Sequence, residues 1–141
     1  MVKKLILAFG TFDLLHAGHL HYLLQAKKLG GNLAVIVARD ATVKKIKRHA
    51  PVHGEQQRLA LVAALKPVDN AILGCPHSKM FKCVAALKPD IIAMGYDQKP
   101  CNKTLKAELA KLGCFPKIVR LKPFRARTHK TSRIKERIRG N

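Results

Sequence analysis

Five short apolar runs, each long enough for one strand, recur along this chain with helix-length stretches between them. That alternation limits the fold more than any other feature. The runs are residues 5–9, 33–38, 70–73, 91–94 and 117–121. Residues 33–38 are apolar without interruption, the pattern of a strand buried on both faces. Residues 17–29 place Leu20, Leu23, Leu24 and Lys27 at helical spacing, and residues 55–65 gather Leu59, Val62 and Leu65 on one side. Pro67 and Pro89 stop the helices expected over 55–65 and 79–87, and Gly113 ends one over 104–112. Residues 42–47 read as a short basic turn or helix, 51–54 as a loop and 131–138 as a closing helix. Strands alternating with helices give an α/β fold, a small doubly wound parallel sheet of about five strands with helices on both faces. The 141 residues suffice for one domain, 1–141, and not comfortably for two.

Composition narrows the setting. Hydrophobic residues make up 48% of the chain, enough for a core. No run approaches the roughly eighteen apolar residues of a membrane span. The opening MVKKLILAFG has the basic pair and apolar run of a signal peptide. The run stops at Gly10, however, with Asp13 following and no small-residue cleavage site, so a buried strand and a cytoplasmic protein are expected. Cys75, Cys83, Cys101 and Cys114 have long, uneven gaps and no Cys-x-x-Cys pair, which argues against a structural zinc site and a disulfide framework. Reduced thiols are expected, with Cys101 left open as a reactive thiol because it falls in a loop. The net charge of +20 is uneven: residues 117–139 hold ten basic side chains and one acid, Glu136. Such a patch attracts polyanions, either nucleic acid or a nucleotide with several phosphates, and charge does not choose between them.

In doubly wound folds ligands bind beyond the carboxyl ends of the strands, where the strand order reverses. The segments at those ends are 10–19, 39–47, 95–102 and 122–132. The first reads GTFDLLHAGH, a strand entering a glycine turn and then a helix N-terminus, which makes an anion site. Neither Gly-x-Gly-x-x-Gly nor Gly-x-x-x-x-Gly-Lys-Ser/Thr is present. What remains is His16 and His19, three apart on the first turn, where both rings can lean toward one phosphate while Gly18 lets it approach the backbone. Two other readings stay open, metal ligation without a matching third ligand and ordinary surface histidines. His21 lies outside the motif and is structural or at the surface.

Gly-Thr-Phe-Asp-x-x-His-x-Gly-His after a first strand resembles the cytidylyltransferase-like branch of the nucleotidyltransferases. The blocks VARDATVKKIK, EQQRLALVAALKPVDNAILG, LKPDIIAMGYDQ and KTSRIKERI extend the resemblance over nearly the whole chain, toward archaeal FAD synthases in particular. Cytidylyltransferases acting on glycerol phosphate or ethanolamine phosphate usually carry a tryptophan after the Gly-x-Asp of the fourth block. Here the residues are Gly95-Tyr96-Asp97-Gln98, and the chain has no tryptophan.

The resemblance implies a Rossmann-like nucleotidyltransferase fold and adenylyl transfer from ATP to FMN, giving FAD and pyrophosphate. Alternatives are a cytidylyltransferase for glycerol 3-phosphate and, more distantly, a nucleic-acid-binding module. Against the last stands an aromatic content of 5%, low for base stacking. The resemblance assigns catalysis to His16, His19, Lys45 and Ser132. It lays Thr11 and Phe12 against the nucleotide through their backbone, and adds Ala17, Gly18, Asp97, Phe124, Lys130, Thr131 and Ser132 to the nucleotide site, with Arg127 beside the pyrophosphate. Lys45, Lys47 and Arg58 are expected at the acceptor phosphate, with a solvated face as the alternative for the lysines and a Glu55 ion pair for Arg58. Asp13 is either a turn residue or holds Mg²⁺ or another divalent cation through water, the metal being bound mainly by ATP. Phe124 serves the adenine or the core, and Thr131–Ser132 are also what an ordinary helix cap would use. The basic RARTHKTS stretch and Gly54 depart from the family pattern and bear on the acceptor. Expected partners are ATP and FMN, with a homodimer and non-specific nucleic-acid association both open and no membrane.

Overall fold

The computed structural model describes residues 3–123. Five strands, β1 (Lys4–Gly10), β2 (Gly31–Val37), β3 (Asn70–Leu73), β4 (Ile91–Met94) and β5 (Lys117–Arg120), form one sheet in the order β3-β2-β1-β4-β5. Every neighbouring pair is parallel. The helices are α1 (Ala17–Lys27), α2 (Asp40–Lys47), α3 (Glu55–Ala63), α4 (Met80–Leu87) and α5 (Asn102–Ala110), with a 3₁₀ turn at His77–Lys79. The expected elements recur within two or three residues, and the stretch left as basic turn or helix is a helix. The helix expected over 131–138 lies outside the described residues. No helix among the described residues is long and apolar enough to cross a membrane.

The apolar runs of the three inner strands, β1, β2 and β4, are continuous because each is covered on both faces. Ile6, Ala8, Leu33, Val35, Val37, Ile91 and Ala93 join Leu23 and Ala26 of α1 and Val62 of α3 in one cluster. The alternate residues Leu7, Ala34, Ile92 and Met94 join Val84 of α4 with Leu105 and Leu109 of α5 in the other. The period-two alternation of a strand is therefore present, but both phases are hydrophobic. At the amino ends of the strands, two carboxylates complete the ladders. Asp69 accepts the Leu33 N–H at 2.7 Å and Asp90 accepts the Leu5 N–H at 2.8 Å. Asp69 also pairs with Lys27 at 2.6 Å, and that hydrogen bond holds its carboxyl below the usual range.

One expectation is overturned outright. Cys75 and Cys83, expected as free thiols, form a disulfide. Their gap of eight residues has no motif, but the chain turns back through the 3₁₀ helix between β3 and α4 and brings the two Cα atoms to 6.4 Å, within bridging range. Cys101 (exposed) and Cys114 (buried) are free.

The order places β2 and β3 on one side of β1 and β4 and β5 on the other. The reversal falls between β1 and β4, so the sheet opens at their carboxyl ends, directly before residues 10–16 and 95–101.

Candidate active site

The turn from β1 into α1 is strained. Phe12 (φ 56) and Leu14 (φ 51) both adopt left-handed backbone, which bulky side chains rarely do. Neighbouring groups hold that conformation. Phe12 is 3% exposed, its ring lying 5.6 Å from that of His19 and 6.5 Å from that of Tyr22. Its side chain is thus core, and only its backbone can meet a ligand. Asp13 accepts the Val52 N–H at 2.8 Å on one carboxylate oxygen and the His53 N–H at 3.0 Å on the other. Asp13 thus fastens the loop before α3 to this turn with both of its oxygens. Among the described residues no three His, Cys, Asp or Glu side chains gather as a metal ion would need.

The two histidines open α1 by capping it themselves. His16 is the N-cap; its Nδ1 accepts the Gly18 N–H at 3.1 Å, and Nδ1 of His19 accepts the His16 N–H at 3.2 Å. A ring nitrogen that accepts a backbone N–H carries no proton, so each ring holds its proton on Nε2. The rings stack with centroids 3.9 Å apart at 29°. Burial first, then the neighbouring His16 and the charge of Lys47, push His19 down to about 3, against a smaller opposing pull from Asp13. His19 is therefore a neutral imidazole with a fixed tautomer, able to donate from Nε2 without carrying charge.

Of the two lysines expected at the acceptor phosphate, the structure brings one toward this pair. Val43 is the buried residue of α2, and Lys47, one turn later, shares its face. Lys45 lies about 200° from Val43 around the helix and is exposed. Lys47, not Lys45, acts on His19.

Arg58 corrects its expected role. It is wholly buried and donates Nε to His53 C=O (2.9 Å), Nη1 to Thr11 C=O (2.8 Å) and Ala38 C=O (2.7 Å), and Nη2 to Asp40 Oδ1 (2.7 Å). A guanidinium so committed does not bind an acceptor phosphate, nor does it pair with Glu55. Glu55 instead accepts the Asp40 N–H at 2.9 Å and an Arg39 N–H at 3.4 Å. Arg58 thus knots together the ends of β1 and β2, the start of α2 and the loop before α3.

On the other side of β1, three residues absent from the sequence-based assignment shape the mouth. Arg120 donates to the carbonyls of Gly95 (2.7 Å), Gln98 (2.6 Å) and Pro100 (2.9 Å) and to Asn102 Oδ1 (2.8 Å). The Tyr22 hydroxyl accepts the Phe9 N–H at 3.3 Å and donates to Ala93 C=O at 2.6 Å; burial pushes this phenol up. Gln98 accepts the Gly95 N–H at 2.8 Å and donates to Phe9 C=O. Arg120 had a visible signal, an arginine closing an apolar strand. Tyr22 and Gln98 had none, since each acts through the backbone of a distant segment. Asp97 is exposed in the loop after β4. Phe124, Arg127, Lys130, Thr131 and Ser132 lie outside the described residues.

Comparison with known proteins agrees with this geometry. The family model described as cytidylyltransferase-like matches residues 7–137. The chain is 44% identical over 133 residues to the FAD synthase of Thermoplasma volcanium, covering 94% of this chain and 92% of that one. It is 52% identical over 122 residues to the FAD synthase of Methanothermus fervidus, covering 84% and 83%. Among solved structures, a protein of Thermoplasma volcanium GSS1 described as a lipopolysaccharide core biosynthesis protein superposes with a TM-score of 0.82 at 47% identity, covering 86% of this chain and 98% of that one.

Proposed function

The chain belongs to the cytidylyltransferase-like family, and from that premise we propose how it works as an FAD synthase, an enzyme that moves AMP from ATP to FMN and releases pyrophosphate. The observation that carries the activity is the identity of 44% and 52% to two FAD synthases, spread over most of the chain. A phosphate oxygen of FMN attacks the α-phosphorus of ATP, one P–O bond forms, and the bond to pyrophosphate breaks. The nucleophile is already an anion, so no strong base is required. Catalysis then becomes positioning and stabilisation of charge growing on the phosphoryl oxygens.

The histidine pair suits that task. Nε2–H of His16 and of His19 are the donors we assign to the phosphates, with His19 the stronger candidate for the transition state. Fixed neutral dipoles in a partly dry site need no reorganisation as charge develops. Lys47 adds positive charge beside them, and Lys45 takes a peripheral part on the opposite flank of α2. By resemblance, Thr131 and Ser132 form a second phosphate-binding motif, with Lys130 and Arg127 neutralising the pyrophosphate. Asp13, Arg58 and the strained turn hold the histidines in place. A divalent cation such as Mg²⁺ enters with ATP, held mainly by the triphosphate. The charge of +20 also gives the protein a salt-sensitive, sequence-blind attraction for nucleic acid, without a role in the reaction.

The test is turnover by the purified full chain with ATP, FMN and Mg²⁺, read by separating FAD from FMN. A parallel arm supplies CTP and glycerol 3-phosphate. FAD in the first arm alone is expected; product only in the second would replace this reading. His19→Ala should lower kcat about a hundred- to a thousandfold with the fold intact. Near-normal turnover by that variant would remove the histidine pair from the mechanism.

A further inference from the structure

We propose that Gln98 is a positioning residue that joins the end of β1 to the turn after β4 and so sets the placement of the turn bearing His16 and His19. The kinetic part of this inference rests on the adenylyl-transfer reading above.

The β1–β4 ladder stops at Ala8 and Ala93, yet β1 runs on to Gly10 paired with β2 alone. Beyond the last pair, Phe9 still presents an N–H and a C=O to the side that β4 has left. Two side chains take the place of the missing strand. The Tyr22 hydroxyl receives the N–H, and the Gln98 amide donates to the C=O while its own oxygen accepts the Gly95 N–H. A carboxamide suits this place because it offers one donor and one acceptor from a single rigid plane. A carboxylate has no donor for Phe9, and an ammonium has no acceptor for Gly95.

The surrounding residues leave room for it. A Cβ on Gly95 would lie 3.3 Å from Cγ of Gln98, and one on Gly10 would lie 3.1 Å from the Phe12 ring and 3.6 Å from Nε2 of Gln98. Glycine at 95 therefore leaves room for the Gln98 side chain, and glycine at 10 leaves room for the Phe12 ring beside it. The turn toward His16 is gripped on both flanks. Gln98 holds it at Phe9, and Arg58 holds it two residues later at Thr11. The left-handed Phe12 follows at once, its ring against His19. A shift at Phe9 thus has a short, packed path to the imidazole assigned to the phosphoryl oxygens. Arg120, by holding the Gln98 and Gly95 carbonyls, fixes the loop from which the amide reaches across.

The test uses the full chain with Gln98→Met, which keeps length and volume but has no hydrogen-bonding amide, and Gln98→Ala, which loses both. Two quantities are read. Without substrate, amide hydrogen exchange by NMR should quicken at Gly95 and at residues 10–12 in both variants, while Ala8 and Ala93 stay protected. With ATP and FMN, kcat should fall about tenfold to a hundredfold, the cost of a misplaced catalytic group, with both KM values nearly unchanged. Wild-type kcat in Gln98→Met, or unaltered exchange at Gly95 in both variants, overturns the proposal. If the wild-type chain itself makes no FAD, the functional reading fails instead, and the exchange measurement still judges whether Gln98 joins the two strand ends.

Discussion

The two sides of β1 solve one problem with different chemistry. Toward β2, the loops at the mouth are fastened by charge: buried Arg58 on Asp40 and three carbonyls, Asp13 on two backbone amides, and Glu55 on the start of α2. Toward β4, the fastening is largely through uncharged acceptors. Arg120 meets three carbonyls and an asparagine oxygen, while Tyr22 and Gln98 bridge the parted strands. The chain has only eight acids, and three of them, Asp13, Asp40 and Glu55, are spent inward on the first side. A site meant for phosphates gains from that economy, because negative charge is committed to amides and to a buried guanidinium while the lysines of α2 remain positive. The comparison implies that the first side carries more of the fold's stability and the second more of the fine placement.

Arg58→Met tests this most severely. It removes four hydrogen bonds and strands three main-chain carbonyls around a side chain that is itself wholly buried, so the expected loss is about 3–5 kcal/mol by urea unfolding. Arg120→Met should cost less, about 1–2 kcal/mol, because its site is only partly buried and water can reach some of the abandoned carbonyls. Its larger effect should be local, quickened exchange in residues 95–101. Equal losses from the two variants would erase the distinction between the sides.

The pH dependence of stability sharpens it further. His19 is held at about 3 in the folded chain, against an ordinary 6.5. Between those values the unfolded chain binds a proton that the folded chain refuses, so stability declines as pH falls from about 6.5 toward 3. The contribution is absent above pH 7. His19→Asn should flatten that limb in chemical denaturation series at pH 4, 5, 6 and 7. A slope unchanged by the substitution would mean that His19 titrates normally and is not the neutral donor described above.

Much of the architecture was legible in the chain because burial on both faces writes itself as unbroken apolar runs such as 33–38. The place of the histidine motif was legible too, since a strand, a glycine turn and a helix start follow one another there, and His16 does cap α1 after β1. The site's scaffolding was harder to read. Arg58 looks like a phosphate ligand on a helix, and only the convergence of residues 11, 38, 40 and 53 reveals a knot. Gln98 and Tyr22 pair with backbone 89 and 71 residues away, which no local pattern encodes. The Cys75–Cys83 bridge was missed for a different reason: the two lie only eight residues apart, but no motif marks the 3₁₀ turn that brings them together. The Lys-x-Lys pair could be seen, but helical geometry decides which lysine counts.

That choice is the smallest effect and the finest test. Lys47 shares the inward face of Val43 and depresses His19, while Lys45 lies on the far flank of the same helix. Lys47→Ala should therefore raise the His19 titration midpoint by a fraction of a pH unit, followed by NMR of the imidazole protons, and Lys45→Ala should leave it in place. Because Lys47 is exposed, its influence passes partly through solvent, and the difference between the variants should shrink as salt rises from about 0.01 M to about 1 M and the screening length falls from about 30 Å to about 3 Å. A midpoint moved equally by both lysines would mean that α2 acts as a diffuse cloud of charge. A midpoint moved by Lys47 alone would mean that the first side of β1 places single charges as deliberately as it places Arg58.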